Sequence, residues 1–157
     1  MSHDLTIKIQ LGLDSLAVIR EQFNSLASTP TDAASEVIET AAASAMLHSF
    51  YTEIEKILKL IAQEEDERLP SSDSWHRDLL KQMSERTAKR PAVLSPNLVE
   101  VLGEFLAFRH RFRGASIALM RWEKLSPLIV KVDSTYELAK AEIEAFARLI
   151  DSGAESV

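Results

Sequence analysis

Apolar residues spaced four and three apart recur along almost the whole of this chain, and that period restricts its fold more than any other feature. Leu125, Ile129, Val132, Tyr136, Ala139, Ile143, Phe146 and Ile150 keep steps of four and three throughout. At about 100° per residue such positions fall on one helix face. Leu5, Ile9, Gly12, Leu16, Ile19, Phe23 and Leu26 repeat the pattern near the N-terminus, and Leu47, Phe50, Ile54, Ile57 and Ile61 repeat it in the middle. Ile7, Ile9, Leu11 and Leu13 also alternate at period two, which leaves a short strand as a rival there. Only four Gly and five Pro interrupt the 157 residues.

Breaks between stripes give the expected elements. A first helix is expected over about residues 4–26, ended by Ser28-Thr29-Pro30. A long second helix is expected over about 33–65, with close packing allowed at Ala41 to Ala45. A shorter third helix follows over about 73–87, capped by Ser72, with Trp75, Leu79 and Met83 on one face. A fourth starts at Ser95-Pro96, a cap followed by proline in the first turn, and should bend or stop near Gly114. The last takes Ser126 as cap and Pro127 in its first turn. Residues 151–157 are expected to fray, as is the terminus that holds His3. The expectation is an all-α fold, an up-and-down four-helix bundle plus one short helix. It forms a single domain over 1–157 with an ordered core from about 4 to 151. The wide stripes on the second and last helices suggest a dimer.

The absence of cysteine rules out disulfides and thiolate metal sites. No signal-peptide pattern and no membrane-length apolar run occurs, so a soluble cytoplasmic protein without membrane contact is expected. There is no glycine-rich phosphate loop, no HExxH and no Glu-x-x-His ligand pair; neither a metal nor a cofactor is expected. The run Glu64 to Glu67 is expected to be a solvated helix end. His48 and His76 are expected to be structural, the latter contacting a carboxylate or carbonyl.

One arginine breaks the pattern. Leu98, Leu102, Phe105, Arg109 and Phe112 share a helix face. A guanidinium on an apolar stripe must find a carboxylate or line a cleft, because burying it unpaired is costly. From Arg109 to Lys124 there are five Lys or Arg and one acid, on a chain of net charge −6. A basic cluster on an acidic chain suits phosphate or an acidic partner, although a cationic helix end is also favoured by the dipole alone. Arg109, Arg111 and Arg113 are therefore the candidate RNA- or phosphate-binding residues. Lys89, Arg90 and Arg86 are expected in a solvated loop, with an extension of the basic cleft as the alternative.

Three segments resemble a known family: Phe50 to Met83, Arg90 to Ser95, and Phe108 to Ile129. They are similar to HepT-like toxins of the HEPN superfamily, in that family's order. The resemblance implies an all-helical, dimeric, metal-independent endoribonuclease. Its motif is an arginine, four to six residues, then a histidine, often followed by x-Tyr. In that scheme the arginine holds the scissile phosphate and the histidine acts as acid or base. The tyrosine is the position a nucleotidyltransferase-type antitoxin modifies with AMP. In this chain Arg109 matches the motif arginine, but Gly114 stands at the histidine position and Ser116 at the tyrosine position. The expectation is a dimeric HepT-like component of a toxin–antitoxin-type system, with impaired ribonuclease activity and RNA or an antitoxin as partner. Two alternatives stand beside it: an active endoribonuclease using Arg109 with His110 from across the dimer, and a purely structural interaction protein.

Overall fold

The computed structural model describes residues 2–26, 30–114 and 119–155. Among these residues there are six α-helices, one short 3-10 turn (Phe23–Ser25) and no strand. The helices are α1 (Ser2–Gln22), α2 (Ala33–Glu65), α3 (Trp75–Ser84), α4 (Pro96–Gly114), α5 (Trp122–Ile129) and α6 (Val132–Glu155). The fold is all-α, as expected. None of the described helices is long and apolar enough to cross a membrane.

The four long helices enclose the core, α1 lying against α2 and α6, and α4 against the same two. Their stripes meet there: Leu5, Ile9 and Leu16 from α1, Phe50, Ile54 and Ile61 from α2, Leu98, Leu102 and Phe105 from α4, Ile143 and Phe146 from α6 are all buried. Ile7 and Leu11 are exposed, so the period-two alternation in α1 has no structural role. Gly12 lets α1 approach α2; a Cβ there would lie 2.6 Å from Ile57 Cγ1. Most of the stripes on α2 and α6 are buried within one chain, while Val37 and Ile38 of α2 and Leu149 of α6 are exposed.

Local chemistry sets the helix ends. Asp32 Oδ1 accepts the Ser35 N–H at 2.7 Å and opens α2. Ser95 Oγ accepts the Leu98 N–H at the start of α4, and Glu142 of α6 accepts from both the Ser95 N–H and hydroxyl. After α2, Glu67 takes φ 52°, a left-handed turn without glycine.

Several boundaries differ from expectation. Pro127 lies inside α5 rather than in the first turn of the last helix. Its missing N–H leaves the Glu123 carbonyl free, and Ser126 Oγ donates to that carbonyl at 3.4 Å. The stripe from Leu125 to Ile150 therefore spans two helices with a turn at Val130–Lys131. Ser72 is not the N-cap of α3; Ser74 is, and the Ser72 hydroxyl donates to Asp78 at 2.6 Å. His3 lies in α1, and α6 runs on to Glu155, with Asp151 accepting from Thr6 Oγ1.

Arg90 is the largest departure. The sequence places it in a solvated loop, but its side chain is 0% exposed. All five N–H donors are used. Nε and Nη2 reach the two oxygens of Asp66 at 2.6 Å each, Nη1 donates to the Glu85 and Pro91 carbonyls, and Nη2 also donates to the Gln82 carbonyl. Asp66 is correspondingly not a solvated helix-end acid: it anchors the α3–α4 connection to the end of α2.

Candidate functional site

Arg109 sits near the end of α4 on the stripe that runs through Leu98, Leu102 and Phe105. Those three are buried, so the helix turns Arg109 inward, and its side chain is only 14% exposed. It meets Glu55 from the middle of α2 and His76 from the first turn of α3, which are 5% and 7% exposed. His76 Nδ1 lies 2.6 Å from Glu55 Oε2. Arg109 Nη1 is 2.9 Å from His76 Nδ1, 3.1 Å from Nε2 and 3.9 Å from Glu55 Oε1. A carboxylate cannot donate, so the short contact assigns the proton to Nδ1, while Arg109 Nη1, nearly equidistant from the two ring nitrogens, lies over the imidazole face and not on the in-plane Nε2 lone pair. Trp75 stacks on the His76 ring with centroids 3.6 Å apart and fixes its plane.

More polar groups line the same face of α2. Tyr51 stands one turn before Glu55, and His48 nearly one turn before Tyr51. His48 Nδ1 and Arg109 Nε are buried without a hydrogen-bond partner, and the Tyr51 hydroxyl is directed at Glu55. Burial, and then the Glu55 charge, push the Tyr51 hydroxyl above its ordinary value. Burial, and then the Arg109 charge, hold His48 below its own. His48 also lies against Phe112, with centroids 6.1 Å apart.

The remaining sequence candidates diverge around α4. Arg113, one turn beyond Arg109, shares its side but is exposed. Arg111 is also exposed and turned about 200° away from Arg109. His110 is exposed, with its ring edge-on to His76 at 5.7 Å. Burial, then His76 and the arginines around it, hold His110 below its ordinary value. Gly114 closes α4, and Ser116 lies outside the described residues. Among the described residues no cluster of three or more His, Asp or Glu could hold a metal.

The inward face of α3 is His76, Leu79, Leu80 and Met83, with Trp75 only half buried. Sequence reasoning missed Glu55 altogether. The signal was there, since Leu47, Tyr51, Glu55, Leu58 and Ala62 form an inward row on α2, and Glu55 interrupts it as Arg109 interrupts the row on α4.

Fold and site together define an all-α helical-bundle protein with an inward arginine near the end of its fourth helix. Residues 42–150 match the HepT-like protein family, and the chain belongs to that family. The matched segment takes in most of α2 and everything from α3 through most of α6; α1 precedes it. No curated protein and no solved structure matches the chain.

Proposed function

We propose that this HepT-like protein acts as a dimeric component of a toxin–antitoxin-type system, and that the end of α4 is a face for RNA or for a nucleotidyltransferase-type antitoxin. One observation carries the reading. Arg109 is held at the bundle surface by the Glu55–His76 pair, while His110, Arg111 and Arg113 from the same two turns are exposed on a chain of net charge −6. Held this way, with Nε buried, the guanidinium would meet phosphate through its terminal nitrogens, and the flanking arginines add to the local positive potential. Cleavage through the family's motif histidine is impaired, because Gly114 carries no proton donor or acceptor in its side chain. Any cleavage must draw on another group.

Support for dimerisation comes from α4. Gly103 lies mid-helix and has no atom within 4 Å of where a Cβ would stand. Helix-interior glycine costs about 1 kcal/mol relative to alanine, and nothing within the chain requires it. It borders an open groove of about 540 Å³ between α3 and α4, with Leu80, Val99, Leu106 and Ala107 along it and Arg77, Lys81, Ser84, Glu100 and Glu104 lining it as well. A second α4 would fit closely there. Gly103→Leu should therefore shift the particle mass in light scattering from dimer to monomer; an unchanged dimer would place the interface elsewhere.

The nucleic-acid face is tested by salt-dependent binding of single-stranded RNA. Replacing Arg111 or Arg113 with Ala should weaken affinity and lower the slope of log K against log salt by about 0.7 for each phosphate that the arginine neutralises. If replacing both with Ala leaves affinity and slope unchanged in a folded protein, the cluster is only a helix-end feature. The protein-partner reading then gains, tested by co-purification with a nucleotidyltransferase encoded beside this chain.

A further inference from the structure

We propose that His76, oriented by Glu55, is the acid/base group serving the phosphate site at Arg109, in place of the histidine absent at Gly114. The proposal rests on the RNA reading above and names the group that would still move a proton there. Three features converge on it. First, Glu55 Oε2 holds His76 Nδ1 at 2.6 Å, which fixes the tautomer and leaves Nε2 as the base. Second, Arg109 Nη1 lies over the imidazole face, 2.9 Å from Nδ1 and 3.1 Å from Nε2, which leaves the in-plane Nε2 lone pair uncommitted beside any phosphate oxygen that the guanidinium holds. Third, Trp75 stacks on the His76 ring with centroids 3.6 Å apart and holds its plane, so Nε2 keeps one direction.

His110 has none of this. It is exposed, it is rotated about 100° from Arg109 on the helix, and among the described residues no carboxylate pairs with its ring.

The reaction balances without a metal or co-reactant. The ribose 2′-oxygen attacks the adjacent phosphorus, and its proton passes to His76 Nε2. The bond from phosphorus to the 5′-oxygen breaks, and that oxygen takes a proton from water. The imidazolium then returns its proton to solvent. The products are a 2′,3′-cyclic phosphate and a 5′-hydroxyl. Arg109 holds the non-bridging oxygens through the charge build-up.

The test uses the full chain, a short fluorogenic single-stranded RNA and its all-deoxy counterpart, with a chelator present. Wild type should cut the RNA to cyclic-phosphate ends and bind the deoxy strand without cutting it. His76→Gln should lower kcat by about 10²- to 10⁴-fold while leaving affinity for the deoxy strand nearly unchanged, a split that a merely structural role would not produce. Glu55→Gln, with its side-chain volume kept, should lower kcat at least about tenfold and carries the test if His76→Gln does not fold. Salt-sensitive binding by wild type with no cleavage overturns the proposal and leaves the binding reading standing. So does cleavage by His76→Gln at the wild-type rate. If wild type binds no RNA, the binding reading fails and the proposal falls with it.

Discussion

Replacing Arg90 with Ala should be among the most destabilising single changes in this protein, although the local sequence looks like a solvated loop. The wild-type side chain is fully buried and commits five N–H groups to Asp66 and three carbonyls. Alanine removes all of them and leaves the largely buried Asp66 with only the Gln82 amide and surrounding dipoles. Removing one partner of a buried ion pair costs about 3–5 kcal/mol. In a domain of 157 residues each kcal/mol is worth about 2–4 °C in Tm, so the variant should melt about 6–20 °C lower. The effect should also depend on pH. Burial alone would raise the Asp66 carboxyl, but hydrogen bonds from Arg90 and Gln82 more than offset it and hold the group below its ordinary value. A depressed carboxyl contributes stability that is present above the unfolded value of about 3.9 and lost as pH falls through the folded value. The gap between wild type and Arg90→Ala should therefore narrow in acid. Urea titrations at neutral pH and in steps down towards pH 3 measure both quantities. A loss under about 1 kcal/mol, or a gap that does not move with pH, would refute the claim that the Arg90–Asp66 pair anchors the connection.

Two smaller perturbations probe the helix packing. Gly12→Ala gains about 1 kcal/mol of helix propensity but drives a methyl into Ile57, and overpacking typically costs about 1–3 kcal/mol. With the Cβ 2.6 Å from Ile57 Cγ1, denaturant titration should show net destabilisation; a rise in stability would mean that α1 rides freely on α2. Glu67→Gly relieves a left-handed residue at the end of α2 and gives up only an exposed pair with Lys89 at 3.6 Å. It should gain up to about 1 kcal/mol, read as a Tm shift of a few degrees, and a fall in Tm would show that the exposed pair matters more than the backbone.

Most of the helical content was legible because each long helix buries one stripe, and a stripe of period 3.6 is visible without knowing its partner. Arg109 was legible for the same reason, since an intruder in a stripe is conspicuous. What stayed hidden depends on contacts distant in sequence. Glu55 and His76 are 21 residues apart, and Arg90 and Asp66 are 24 apart; no local rule joins them. Ser126-Pro127 shows the opposite failure, a local rule that fits and misleads. Ser95-Pro96 has the same two residues and does open a helix, because Ser95 Oγ is free to accept the Leu98 N–H. Ser126 instead turns its hydroxyl back to Glu123, within a helix already begun at Trp122.

The geometry around Arg109 also explains why alanine there is a poor test of function. Its guanidinium is the cation nearest a buried carboxylate and is in contact with the imidazole that the carboxylate holds. Deleting it removes a phosphate ligand and strands Glu55 in the same stroke, so a fall in activity would report either event. The two separate through a change that leaves the charge in place. A lysine keeps the cation near Glu55 but has no planar fork and cannot engage a phosphate bidentately. If the site works on phosphate, Arg109→Lys should fold like wild type and still lose RNA affinity or turnover. If Arg109 serves only to neutralise Glu55, the lysine variant should match wild type in both, and binding would then rest on the exposed Arg111 and Arg113.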